Sequence, residues 1–167
     1  MRIMIFGDVA SGKSTISKKL GAHLGLPVLH LDEVMAKLGR DQKAHIKDYI
    51  HQEADKADWI IEGNAFTKDK PYRIERADVV IVFAANRFVT LYRHMRRVWR
   101  VRHGREVMHG GASGDFKLNY YIPYTLWHFP HRRRQAEQRV IAAGKQIIVV
   151  RSFDEGLALL KTFETDR

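Results

Sequence analysis

The first stretch able to do chemistry is Gly7-Asp8-Val9-Ala10-Ser11-Gly12-Lys13-Ser14-Thr15, a few residues into the chain. Its spacing, Gly-x-x-x-x-Gly-Lys-Ser, is that of a loop that wraps nucleotide phosphates. Glycines let backbone N–H groups turn toward phosphate oxygens, and a helix that follows adds the positive end of its dipole. In that geometry Lys13 reaches the β- and γ-phosphates of ATP, and the Ser14 hydroxyl takes one place on Mg²⁺. The loop follows the apolar run "RIMIF" and precedes a helical pattern, the placement this mechanism requires. Asp8 sets a negative charge where an anion is expected, and the sequence gives its side chain no role.

Two carboxylates end strand-like runs: Asp32 after "VLHL" and Glu62 after "WII". Ligands of open parallel sheets bind beyond the carboxyl ends of the strands. Either acid is placed to hold a Mg²⁺-bound water, and Asp32 alternatively to orient an acceptor hydroxyl as a base. Helix or turn capping is the plainer use of each.

Arginines are the next group. Seven lie between Arg87 and Arg105 with no acid among them. On a helix starting near Phe88, the residues Phe88, Leu91, Tyr92, Met95 and Trp99 make an apolar stripe, predicted to face the core. Arg93, Arg96, Arg97 and Arg100 fall on another face, where like charges repel unless a polyanion lies against them. A second cluster, Arg132-Arg133-Arg134, follows "WHFP" and is placed to fold back over the phosphates. The spacing does not decide between nucleotide and nucleic-acid phosphates. The nine histidines lack metal-ligand spacing, and His30 reads as a buried strand residue. The aromatic run from Phe116 to Phe129, with Tyr120, Tyr121, Tyr124 and Trp127, reads as core packing of a helix bent at Pro123 and Pro130.

The elements that must position these groups alternate. Strands are expected at "RIMIF", 28–31, 59–62, 79–84 and 146–151. Helices are expected at Lys13–Leu24, with Gly25 as its stop, and from an Asp41 cap to about Lys56 with Ile46, Tyr49, Ile50 and Ala54 inward. Near-continuous apolar strands separated by helices imply a parallel sheet covered on both faces. Gly104 to Asp115 carries four glycines and reads as a mobile loop or small lid.

The 167 residues fit a single domain, and the absence of cysteine excludes disulfides, thiolate nucleophiles and thiolate metal sites. The apolar run Ile3 to Phe6 is too short for a signal sequence and no later stretch spans a membrane, so a cytoplasmic protein is expected. The net charge is +10, and the segment Arg87 to Arg134 holds eleven basic residues against Glu106 and Asp115, leaving only +1 elsewhere. So local an excess points to an anionic ligand or nucleic acid.

"GKST", "LPVLHLD" (26–32), "WIIEGN" (59–64), "RIERADVVIVF" (73–83), the arginine helix, "WHFPHRRR" (127–134) and "VVRS" (149–152) together cover most of the chain. In these the chain resembles the small P-loop proteins called DNA topology modulation proteins, which are similar to adenylate kinases and other nucleoside monophosphate kinases. The resemblance implies a three-layer α/β P-loop NTPase fold with a five-stranded parallel sheet, helices on both faces and a helical lid. It also implies an acceptor-side helical segment at 33–57 and a lid-like loop at 103–116. By that similarity Arg93 and Arg97 contact the adenine and phosphates of ATP, and Arg132 or Arg134 bridges donor and acceptor phosphates. Glu62 occupies the acidic position at the end of the third strand, and the backbone near Arg151 and Ser152 lies beside adenine. Ala10 stands where the family usually has glycine, Glu62 where Asp is commoner, and no counterpart of the residues that hold AMP in adenylate kinases stands out.

Three functional classes follow: an ATP- and Mg²⁺-dependent phosphotransferase acting on a small acceptor, a nucleotide-dependent nucleic-acid-binding protein, and an ATPase or sensor without acceptor.

Overall fold

A computed structural model describes residues 1–39, 42–65, 67–105 and 122–165. Asp41, the aromatics Phe116, Tyr120 and Tyr121, and the lid-like loop beyond Arg105 lie outside the described residues.

Strand β1 (Arg2–Gly7) leads through the phosphate loop into helix α1 (Lys13–Leu24). There follow β2 (Val28–His30), α2 (Leu31–Leu38), α3 (Lys43–Ala54), β3 (Trp59–Glu62), a 3₁₀ turn (Thr67–Asp69), α4 (Lys70–Arg76) and β4 (Val79–Phe83). The remainder is α5 (Arg87–Arg102), a π-helical turn (Tyr124–His128), α6 (Phe129–Ala142), β5 (Gln146–Val150) and α7 (Phe153–Thr165). The five strands are parallel in the order β2-β3-β1-β4-β5, with Ile3 of β1 opposite Ile60 of β3 and Val79 of β4. The three-layer α/β P-loop fold is thereby present.

Side chains alternate across a strand, so β1 feeds two cores. Met4 and Phe6 join Trp59, Ile61, Val80 and Val82 beneath the helices α2, α3, α4 and α6. Ile3 and Ile5 join Ile60, Ile81 and Phe83 beneath α1 and α7. Each large side chain so buried contributes roughly 1.5–3 kcal/mol. Helix α1 ends where expected, on Gly25 at φ 68°.

Four expectations are corrected. "VLHL" is strand only to His30, because Leu31 already begins α2. On α3 the residues Ile46, Ile50 and Ala54 are buried, whereas Tyr49 is exposed. On α5 the expected core stripe faces outward, with Phe88, Tyr92, Met95 and Trp99 exposed and Thr90, His94 and Val98 buried instead. Among the described elements this helix packs chiefly on the π-helical turn, and the face it turns inward, with Thr90, His94 and Val98, is mixed in polarity. The aromatic run packs only in part: Phe129 is buried and Trp127 exposed. Its widened turn lies just before Pro130, which lacks the N–H for a regular bond to the preceding turn; Phe129 instead donates to the Tyr124 carbonyl five residues back.

Candidate functional site

The carboxyl ends of β1 and β3 and the start of α1 converge on one edge of the sheet. Gly7 has φ 147°, and a Cβ there would stand 2.3 Å from the Phe83 carbonyl oxygen, so close approach to β4 demands glycine. Asn64 clamps this residue from β3's side, its Nδ2 donating to the Gly7 carbonyl at 2.7 Å and its Oδ1 accepting from the Gly7 N–H at 3.3 Å. Ala10 holds φ 57°, a left-handed conformation that L side chains rarely adopt. Gly12, at φ 91°, caps α1, whose first turn contains no acid. Backbone and helix dipole therefore point positive charge at the loop's hollow.

Lys13 is buried, its Nζ donating to the Asp8 carbonyl at 3.4 Å and lying 3.8 Å from Glu62 Oε1. His30 Nδ1 stands 2.8 Å from Glu62 Oε2. The strand register makes this pair, because His30 of β2 lies directly opposite Glu62 of β3. Burial alone would raise the Glu62 carboxyl, but the His30 hydrogen bond, the Lys13 charge and the Ser14 hydroxyl outweigh it and hold it below its ordinary value. Asp8 behaves oppositely: burial pushes it up to about 6, although the Arg133 guanidinium stands 2.9 Å from Oδ2 and Lys13 is near. Arg133 also reaches Glu137 at 3.1 Å.

Two cavities open here. One, of about 340 Å³, is lined by Ser14, Lys18, His30, Asp32, Glu33, Glu62 and Arg97. The other, of about 430 Å³, runs along Val9, Ala10, Gly12, Lys13 and Thr15 to Asn64, Arg97, Tyr124 and Phe129. Ser14, Thr15, Asp32 and Arg97 line both, so the two meet. A separate cavity of about 490 Å³ lies at the opposite, amino end of the sheet, lined by Leu24, Val79, Leu159 and Phe163 among others.

The structure thus brings together the loop Gly7–Thr15, Asp32, Glu62 and Arg97. Ser11 is fully buried beneath the loop. Arg93 is exposed on the outer side of α5, and Arg134 is exposed on α6. Arg132 lies with its guanidinium 5.9 Å from the Tyr124 ring. Ser152 follows β5, where its Oγ accepts from the Glu155 N–H at 3.0 Å at the start of α7. Among the described residues no three His, Asp or Glu side chains form a metal cluster by themselves. Mg²⁺ needs fewer, since it takes one or two protein oxygens plus water and substrate phosphates. The hard oxygen donors of Ser14, Asp32 and Glu62, lining one cavity, fit that demand.

The sequence reading names the Arg132-Arg133-Arg134 cluster and a buried His30 but not the pairing of Arg133 with Asp8 or of His30 with Glu62, and it gives no role to Glu33 or Asn64. Arg133 carried a usable signal: it shares the face of Phe129, Ala136 and Val140, all buried, at helical spacing. His30 and Glu62 pair only once the register is known.

No protein-family model matches the sequence, nor does any curated protein. Among solved structures the chain is similar to a shikimate kinase from Aquifex aeolicus (18% identity, TM-score 0.56, 99% of this chain and 98% of that one). It is similar to a deoxyadenosine kinase from M. mycoides with bound dCTP (14% identity, TM-score 0.57, both chains covered in full). A shikimate kinase from Acinetobacter baumannii in complex with shikimate superposes with TM-score 0.61 at 12% identity, over 99% of this chain and 94% of that one. At such identities the likeness is one of fold, and it agrees with the sheet order and the loop: the chain has the three-layer α/β P-loop fold.

Proposed function

We propose that the protein is an ATP- and Mg²⁺-dependent phosphotransferase of the nucleoside monophosphate kinase type, acting on a small acceptor. The observation that carries this reading is the convergence of Lys13, Arg97 and the α1 N-terminus on one cleft that also holds Ser14, Asp32 and Glu62. Its fold neighbours include kinases whose acceptors are small molecules, which supports the reaction class. Phosphoryl transfer asks for positioning and charge compensation more than for covalent chemistry. Lys13 would hold the β- and γ-phosphates, with the loop's N–H groups on the same oxygens. Arg97, reaching in from α5, would neutralise charge on the group in transit. Mg²⁺, when bound, would neutralise phosphate charge, held through Ser14 and, by way of water, through Asp32 and Glu62. His30 keeps Glu62 oriented and ionised for that task. Asp32, exposed at the mouth, would alternatively orient an acceptor hydroxyl in place of its role at Mg²⁺.

The test is to incubate the protein with Mg·ATP and a panel of nucleoside monophosphates and small hydroxyl compounds, following ADP and phosphorylated product. ADP formation that depends on one acceptor, and disappears in Lys13→Ala, supports the reading. ADP release indifferent to every acceptor would indicate an ATPase or sensor.

A second reading, nucleotide-dependent nucleic-acid binding as in the DNA topology modulation proteins, is favoured by the outer face of α5. There Arg93, Arg96 and Arg100 alternate with exposed Phe88, Tyr92 and Trp99, cations and stacking surfaces on one solvent-facing helix.

A further inference from the structure

Asp8 is the only acid in the phosphate loop, and phosphoryl transfer gives it no task. Its place is fixed from two sides. The Asp8 N–H donates to the Phe83 carbonyl at 2.8 Å, and the carboxylate accepts from the Ala85 backbone and from Arg133, with Lys13 near. The residue is only 5% exposed. A carboxylate so placed repels phosphates that enter the loop, and it competes for the cation they need.

Arg133 meets it from 125 residues further along the chain, on α6. Its guanidinium stands 2.9 Å from Asp8 Oδ2 and 3.1 Å from Glu137 Oε1. Stability does not account for this pair. Burial pushes the Asp8 carboxyl up to about 6 in spite of the guanidinium. A neutral residue would therefore serve the fold better than the buried ion pair does.

Lys13 shows what the pair is for. Its ammonium lies 3.4 Å from the Asp8 carbonyl and 3.8 Å from Glu62 Oε1, and the Asp8 carboxylate also feels its charge. Two acids thus bear on one cation. Each has a partner of its own: Glu62 has His30 at 2.8 Å, and Asp8 has Arg133. With both acids so occupied, the Lys13 charge is left for phosphate oxygens. Without Arg133, Asp8 would turn its full charge on Lys13 and on the phosphates.

We propose that Arg133 is a positioning residue of the nucleotide site, which neutralises Asp8 from α6 and so leaves Lys13 to the phosphates. This rests on the nucleotide-binding half of the phosphotransferase reading, and not on the transfer step. The effect is one of charge balance, so Arg133 need not touch the nucleotide.

The test titrates adenylyl imidodiphosphate, an ATP analogue that is not hydrolysed, calorimetrically with Mg²⁺ at fixed ionic strength. Arg133→Gln is expected to weaken its binding roughly tenfold or more, as an unpaired carboxylate comes to bear on Lys13. Adding Asp8→Asn in the same chain is expected to restore binding to within about threefold of wild type, because the double variant keeps the wild-type charge balance. Lost packing of α6 would not be rescued in this way. Binding unchanged in Arg133→Gln, or as weak in the double variant as in Arg133→Gln, overturns the assignment. Should Arg133→Gln fail to fold, Asp8→Asn alone decides: tighter binding supports the proposal, and unchanged or weaker binding overturns it. An analogue that does not bind the wild type overturns the nucleotide site and the proposal together. Where the variants follow the expected pattern but no acceptor is phosphorylated, the transfer reading fails and the role of Arg133 stands.

Discussion

At the scale of single residues, Glu62 and Asp8 are both buried beside Lys13, and they titrate in opposite directions because of what else they touch. Glu62 accepts from His30 and stays ionised, fit for a cation. Asp8 has Arg133 for a partner, yet burial still outweighs the pairing. The sign of its effect on stability follows from that raised value. The unfolded chain loses the Asp8 proton near pH 4 and the folded chain near 6, so Asp8 weakens the fold progressively as pH rises through that window. The expected loss reaches about 3 kcal/mol. Urea unfolding of the wild type against Asp8→Asn between pH 4 and 7 checks it: the stability difference should move against the wild type as pH rises, and a flat difference would contradict the account. Ala10 gives a second expectation. Ala10→Gly removes a left-handed alanine and should stabilise the protein by about 1 kcal/mol, read from the shift in Tm.

Helix α5 decides which arginines matter. Sequence periodicity sets an apolar stripe toward a core and four arginines together on another face, whereas the structure turns the stripe outward beside Arg93, Arg96 and Arg100 and separates Arg97 from them. The helix instead roofs a cleft, and Arg97 enters with the buried face of His94 and Val98 while Arg93 stays out. Arg97→Ala is expected to lower kcat by two to three orders of magnitude, roughly what the loss of one charge-stabilising donor costs, and Arg93→Ala to leave it within a few-fold. Steady-state kinetics on the pair separates the two. The outward face carries its own expectation under the nucleic-acid reading: replacing Arg93, Arg96 and Arg100 with Gln should flatten the salt dependence of DNA binding, measured by fluorescence anisotropy, while phosphoryl transfer is retained. Strands were legible for a simpler reason. Runs such as "VVIVF" are buried on both faces of a parallel sheet, and a short β-branched apolar run of this kind suits a central strand. Arg133 was hidden because its neighbours carry the same charge, and only the buried positions four before and three after it mark its face. The His30–Glu62 pair depends on which strands lie side by side, a matter of tertiary register that no local pattern encodes.

For the whole molecule, the positive excess between Arg87 and Arg134 resolves into separate destinations. Arg97 turns into the cleft, Arg133 pairs with Asp8 of the phosphate loop, Arg132 stands over the Tyr124 ring, and Arg93, Arg96 and Arg100 face solvent. A sheet with its phosphate loop at the carboxyl ends of the strands, cations reaching in from α5, and carboxylates beside Ser14 is the arrangement on which the proposed phosphoryl transfer between two ligands rests. The most direct test uses ATP labelled at the γ-phosphate, with Mg²⁺ and a nucleoside monophosphate or small alcohol acceptor, and measures how the label divides between acceptor and inorganic phosphate. Label appearing predominantly on one acceptor, and on none in Lys13→Ala, is the predicted result. Label released only as inorganic phosphate, whatever acceptor is present, would contradict the assignment.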